Sequence, residues 1–594
     1  MMRFCRLMVW WVGALREAPL LVVILFMLAM PVFGQGSPSG LIVETNARGE
    51  QSIGSLNPLL CYDSNCRRIT DLLFPYLLNV DPMSGTFAPA DGDRGIALSW
   101  DIEGDTITYH LREDRLWSDG TPVTAYDVFY SYLAASNRNT NSLYRERLRR
   151  KVLAAAPIDA YTITFVLSDP TCSATDVTQI PIIPAHVFDP TFSETAVFDG
   201  AVDDIQAWFV GQPVRNFNVL VGHPFETEPT VTSGPYLFEG RRYNDYIRLI
   251  SADGERAFAY VNGSGGSLTD MFLRGETNLL TNPPYERRQD LWAAVEGTNS
   301  DGIEITTRPG SLSLYIGLNM TDPDEPLSAY DENGNFVEQE PHPIFADVRV
   351  RRALQMALDV PALMDVAIEG DGLVLAANLP PSSWAFNPDL EPVAYDPVGA
   401  ARLLEEAGWK DVNRDGIREC ITCLYADEGA LLEFTLTHPP TFDDTGLRGD
   451  RMLNLMAQQW RMVGADMYSI QNDLNSYPSS FAYQQFDAYI AFEDGYPFNP
   501  DQLDQFSWDG DMLETGANVT SYYDDELFRL LFEARSIEST ESCNLDTRRE
   551  LYQQAQAILY ADQAYLSLFA PNDMVVTRDI APEALAQFWD VVAS

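Results

Sequence analysis

Residues 491–508, AFEDGYPFNPDQLDQFSW, set the adjacent carboxylates of Glu493 and Asp494 beside the rings of Tyr496, Phe498 and Trp508. Acid next to aromatics suits a desolvated ammonium: the carboxylate pairs the charge and the rings cover it. An acidic loop lying over core aromatics has the same composition, so both readings stand at this point. Residues 411–419, DVNRDGIRE, carry a second chemistry. Asp411, Asn413, Asp415 and the carbonyl of Ile417 fall at positions 1, 3, 5 and 7 of a calcium loop, and Gly416 stands at the sharp turn of position 6. Position 12 is Thr422 instead of the bidentate Glu, which leaves Glu419 or a distant side chain as its substitute. The other reading of this stretch is a polar turn between a helix and a hairpin. A structural calcium is the one metal the sequence suggests, and no cofactor is required.

Residues 116–132, LWSDGTPVTAYDVFYSY, look like an active-site loop but resolve into backbone tasks. Asp119-Gly120 is turn chemistry and Pro122 fixes φ. Thr124 can cap a helix, with Asp127 three residues on as its capping-box partner. No polar group is left over to act on a substrate.

Other chemistries find no motif. The five histidines, His110, His186, His223, His342 and His438, form no H-E-x-x-H, and no G-x-S-x-G occurs. Lys151 and Lys410 are the only lysines, so no phosphate-binding G-x-x-x-x-G-K can be written. His110 reads as a half-exposed strand residue. Carboxylate pairs carry no information in a chain with 86 acidic residues against 39 basic ones. The formal charge of −47 repels phosphate backbones and excludes nucleic acid as a partner.

The elements that must hold these residues mix strand and helix. TITYHL at 106–111 alternates, with Ile107, Tyr109 and Leu111 on one face; 162–167, 245–250 and 312–320 read as further strands. Residues 347–368 are helix-periodic with a second start at Pro361. Residues 396–409 open on Asp396-Pro397, an N-cap and first-turn pair, and stop at Gly408. Two further helices are expected from 449 and from 546, and 319–343 reads as a long loop.

The start of the chain has the features of an export signal: Arg3, Arg6 and Arg16, an apolar run at 20–30 broken by Pro31, and a small residue at Gly34. An uncleaved anchor is the alternative. The mature chain is expected outside the cytoplasm, where its six remaining cysteines can form disulfides. Cys61/Cys66 and Cys420/Cys423 are the natural close pairs. Six cysteines allow fifteen connectivities, and zinc held by the two close pairs is a rival reading. Cys172 and Cys543 are left without a local partner.

Several stretches together resemble the family-5 extracellular solute-binding proteins, the peptide-binding subunits of ABC importers. They are residues 95–132, SLNP at 55–58, TSGPYLFEG at 232–240, 345–359, 384–409 and 565–578. They stand in the family's order and cover most of the mature chain. The resemblance implies an α/β, two-lobed periplasmic-binding-protein-like clam-shell of type II. Residues 1–34 would be the signal segment and 35–319 lobe one, with an inserted subdomain at about 75–190. Lobe two would be 320–562, and 563–594 would return to lobe one. The implied partners are a peptide or other small solute and a membrane permease, and the chain would act as a monomer. By this resemblance Asp494 pairs the ligand ammonium, with Glu493, Tyr496, Trp508 and Trp384 around it. The family's W-x-A-D-Y-P-D-P is matched here only by FEDGYPFNP. Phe492 replaces the tryptophan and Gly495 precedes the tyrosine, so sugars and metal complexes also remain open as ligands. A cell-surface sensor on the same fold and an exported glycosidase-like hydrolase are the competing functions.

Overall fold

The computed structural model describes residues 41–580 apart from 47–52, 62–63, 81–86, 91–94, 141, 169–170, 214, 216, 243–245, 252–256, 262–264, 297–301, 440–446, 473–480, 494–498, 515 and 541–542. Two large sheets organise it. The first has eight strands. Ile303–Pro309, Phe569–Arg578, Leu279–Thr281, Leu41–Asn46, Ala257–Val261, Tyr246–Ser251 and Tyr236–Arg242 follow in that order, and Gly372–Val374 pairs the start of Phe569–Arg578. The second has five: Asp466–Gln471, Glu433–His438, Ala488–Glu493, Ser313–Leu318 and Tyr565–Ser567.

Strand composition follows from this layering. Ala257–Val261 and Ser313–Leu318 are buried at every position, as strands covered on both faces must be. Thr106–Leu111 alternates instead, burying Ile107, Tyr109 and Leu111. It lies in a separate four-stranded antiparallel sheet with Ala97–Glu103, Thr162–Leu167 and Val152–Asp159. One core, built around Phe74, Trp117, Phe129 and Phe165, joins that small sheet to the first large one. A second core, around Phe345, Leu354, Phe434 and Trp460, lies over the second sheet.

The helices start where caps allow. Asp347 accepts from Arg349 N–H at 2.9 Å and opens Val348–Met356, and Asp359 accepts from Ala362 N–H at 3.1 Å and opens Val360–Ile368. The stretch from 347 to 368 is therefore two helices, divided ahead of Pro361. Asp396 caps Pro397–Glu406 through Gly399 N–H at 2.8 Å, and Gly408 turns the chain at φ +97.

Two adjacent passes join the large sheets directly, at 310–312 and around Leu568, and between them the chain returns once to the first sheet at Gly372–Val374. Ser313–Leu318 and Tyr565–Ser567 both pair within the second sheet. The limits expected after 319 and after 562 would have assigned both strands to lobe one.

All six cysteines after the leading segment are bonded. Cys61–Cys66 and Cys420–Cys423 are the close pairs, which removes the zinc reading because their thiols are consumed. Cys172–Cys543 joins residues 371 apart in sequence.

Candidate functional site

Strand direction decides where a site can form. In the second sheet, Glu433–His438 runs parallel to Asp466–Gln471 and to Ala488–Glu493. Ser313–Leu318 is antiparallel both to Ala488–Glu493 and to Tyr565–Ser567. Four carboxyl ends therefore share one edge with the start of Ser313–Leu318, where the first pass enters. In the first sheet Leu41–Asn46 runs parallel to Ala257–Val261 and Leu279–Thr281. Leu279–Thr281 and Ile303–Pro309 are both antiparallel to Phe569–Arg578. Their carboxyl ends lie where Phe569–Arg578 begins. Both sheets thus direct strand carboxyl ends at the two passes, the edge at which open α/β sheets bind ligands.

The passes are tied together. Gly310 N–H donates to Pro571 O at 3.1 Å, and the Ser382 hydroxyl donates to Gly310 O at 3.0 Å. The buried Arg288 guanidinium pairs with Asp371 and donates to Asn572 O at 3.1 Å. Asn572 in turn donates its side-chain N–H to Asp371 at 2.9 Å.

Asp494 and Tyr496 lie outside the described residues. Their flanks do not. Glu493 closes Ala488–Glu493 opposite Ser313, at the edge next to the first pass. On the other side Asn499 reaches the first half of the chain: its amide donates to Asp176 at 3.4 Å, and the Ser173 hydroxyl donates to it at 3.4 Å. Glu493 thus ends at the carboxyl edge of the second sheet, and Asn499 lies at a seam with the other half.

That seam has no signature in local sequence. Cys172 N–H donates to Arg535 O at 2.8 Å beside the Cys172–Cys543 bond. Arg535 pairs with Asp501 at 3.2 Å and with Asp504 at 3.3 Å, and Lys151 reaches Asp504 at 3.6 Å. The one available hint was that two cysteines remained once the close pairs were removed.

The two tryptophans have different ring neighbours. Trp384 sets its ring against Tyr552 at 5.7 Å, with the Arg548 guanidinium 5.1 Å over it. A cation of the chain itself thus covers one face of the Trp384 ring. Trp508 stacks on Tyr523 at 4.5 Å and meets Phe336 edge-on at 5.2 Å.

The 411–419 loop is a run of side-chain-to-backbone turns. Asp411 accepts from Arg414 and Gly416 N–H, Asn413 from Asp415 N–H, Asp415 from Ile417 N–H, and Glu419 from Val412 N–H. The N–H groups fall within 3.1 Å of these oxygens. Among the described residues no group of three or more His, Cys, Asp or Glu side chains is arranged to hold a metal ion.

Two buried carboxyls are pushed up by burial. Asp127 is held by Thr124 N–H and Ala185 N–H, and Asp511 by the amides of Gln484 and Gln339. His110 is half exposed on its strand, 3.2 Å from Asp101.

Comparison with known proteins places this geometry. The model of the bacterial extracellular solute-binding proteins, family 5 Middle, matches residues 94–513. The oligopeptide-binding protein AppA of Bacillus subtilis is 24% identical over 88% of this chain and 87% of its own. The solved structure of AppA from Bacillus subtilis in complex with a nonapeptide superposes with a TM-score of 0.60 at 20% identity, covering 91% of this chain and 95% of that one. NikA from Brucella suis in complex with Fe(III)-EDTA gives a TM-score of 0.64 at 18% identity, covering 90% and 95%. The fold is that of these two-lobed binding proteins.

Proposed function

Because the chain belongs to the family 5 bacterial extracellular solute-binding proteins, we propose that it captures a peptide or similar small solute between its lobes and delivers it to the permease of an ABC importer, without catalysis. The observation that carries this is the shared edge: strand carboxyl ends of both sheets meet at two adjacent passes, which act as a hinge. Closure over a solute is then a population shift between open and closed forms, and the closed form is what a permease reads. Relatives named for peptide binding favour a peptide. Asp494 pairs its α-ammonium, with Glu493 and Tyr496 alongside. The chain works outside the cytoplasm, and among the described residues no helix is long and apolar enough to cross a membrane.

The test is a thermal-shift screen with peptide pools, oligosaccharides and metal chelates. A solute at about 100 times its Kd adds about 2.7 kcal/mol to the stability of the bound form. Peptides should raise the Tm, and Asp494→Asn should weaken binding of peptides with a free N-terminus about tenfold or more. N-acetylated peptides should bind poorly to both proteins. A Tm that responds to chelates or sugars and not to peptides replaces the peptide reading. No response to any class, or turnover of the ligand, removes the importer reading.

A further inference from the structure

A strongly basic helix, Arg145–Lys151 with the sequence RERLRRK, stands against the acidity of the rest of the chain. Five of the 39 basic residues fall in these seven positions, where an even spread would place fewer than one. Solubility does not call for the cluster, because the excess of acid already supplies it. Nor does the helix dipole, since one cation in the last turn answers a helix this short. The fold occupies three of the five. Arg147 donates to Gln179 O at 2.7 Å, Lys151 faces Asp504 at 3.6 Å, and Arg145 pairs with Glu146, the only acid of the helix, at 2.9 Å. Arg149 and Arg150 are exposed, and among the described residues neither guanidinium has an ion-pair partner. Arg138 and Arg67, also exposed, extend the patch. The Arg138 carbonyl accepts from the Arg145 guanidinium at 3.4 Å. Burial and Asp71 push the Tyr144 hydroxyl up against the opposing charges of Arg147 and Arg67, which sets Arg67 beside the start of the helix. Leucines flank the arginines on both sides: Leu143 is 47% and Leu153 46% exposed. The end of the helix is pinned, because Ser168 donates its hydroxyl to Arg150 O at 2.9 Å and its N–H to Lys151 O at 3.0 Å.

We infer that the exposed face of residues 143–153 docks on the anionic lipid headgroups of a membrane, with Arg149 and Arg150 on the phosphates and Leu143 and Leu153 entering the interfacial layer. The arginine fork matches phosphate oxygens and gives up its water more readily than an ammonium does. Apolar side chains beside basic ones are the composition that lies in a headgroup layer without spanning it. The leucines decide between polyanions: a soluble acidic polymer or an acidic protein surface can meet the same arginines, but only a bilayer also takes half-exposed leucines out of water. The net charge of −47 does not prevent this docking. At about 0.15 M salt the Debye length is about 8 Å, so a bilayer senses only the face laid against it. Every acidic face is repelled at contact and this one is attracted, so the patch also sets the orientation of the molecule on the membrane.

The test needs no solute and stands apart from the importer reading. Arginines of the full chain are labelled with phenylglyoxal and the sites read by mass spectrometry. Labelling is compared without vesicles, with phosphatidylcholine vesicles, and with vesicles of equal parts phosphatidylglycerol and phosphatidylcholine. The readout is local to the patch, so attachment of the chain elsewhere does not imitate it. The anionic vesicles should slow labelling of Arg149 and Arg150 about fivefold or more. Arg402, with its side chain 77% exposed on the helix Pro397–Glu406, should label at an unchanged rate. Phosphatidylcholine alone should protect neither site. About 1 M sodium chloride, where the Debye length is about 3 Å, should restore labelling. The L143S/L153S variant keeps every arginine and alters only exposed positions; with its far-UV dichroism retained, it should lose most of the protection. Equal labelling of Arg149 and Arg150 with and without phosphatidylglycerol overturns the proposal. So does protection of Arg402 to the same degree. Protection by soluble polyglutamate as strong as by vesicles, in the full chain and in L143S/L153S alike, overturns it too and assigns the patch to an acidic protein partner.

Discussion

At the scale of single residues, Asp127 shows how a polar group that looks catalytic is consumed by structure. Its carboxylate accepts from Thr124 N–H at 2.8 Å and from the Thr124 hydroxyl at 3.1 Å, as the capping reading of 116–132 requires. It also accepts from Ala185 N–H at 2.9 Å, a donor 58 residues away that no local motif announces. A lost cap alone costs about 1 kcal/mol. Leaving a buried N–H unpaired adds about 1–3 kcal/mol. Asp127→Ala should therefore lower unfolding stability by about 2–4 kcal/mol, read from urea denaturation, with solute affinity unchanged. A loss confined to about 1 kcal/mol would show that Ala185 finds another acceptor. Trp384 teaches the converse. Its type suggests a ligand contact, and only the fold shows that the Arg548 guanidinium already lies over the ring.

At the scale of elements, whatever depends on near neighbours was legible. Asp396-Pro397 and Gly408 bound the helix Pro397–Glu406 because caps act within one turn. Alternation identified Thr106–Leu111, and the polar stretch at 319–343 is a loop whose ends meet at Thr321 and Pro341. What depends on distant partners was not legible. Nothing in LIVETN, residues 41–46, says that it will lie between Ala257–Val261 and Leu279–Thr281. The Asp494 stretch could be singled out by composition, yet its seam with Ser173 and Asp176 spans more than 300 residues of sequence. The hinge depends on such a long-range approach. A Cβ at Gly310 would stand 2.5 Å from the carbonyl oxygen of Pro571, closer than real contacts allow. Gly310→Ala must push the passes apart, and overpacking of this kind costs about 1–3 kcal/mol. The urea midpoint should fall accordingly, whereas an unchanged midpoint would mean that the passes separate freely.

At the scale of the whole molecule, the charge sets a cost that no single contact reveals. Even if every one of the 39 basic residues paired with an acid, 47 of the 86 acidic residues would remain uncompensated. Salt acts on this in two opposing ways. It weakens ion pairs such as Arg529–Glu526 and Arg274–Glu276, but these are exposed and worth little. It also screens the repulsion among the excess carboxylates, which is long-ranged and grows as the chain compacts. Screening shortens the Debye length from about 30 Å at 0.01 M to about 8 Å at 0.15 M, so distant repulsions are lost first. The second effect wins, and the Tm should rise by a few degrees over that range. Sodium chloride and tetramethylammonium chloride should act alike, because screening depends on ionic strength and not on the cation. A falling Tm would show that ion pairs dominate after all. A rise with calcium alone, at equal ionic strength, would instead assign the effect to a bound cation and point back to the 411–419 loop.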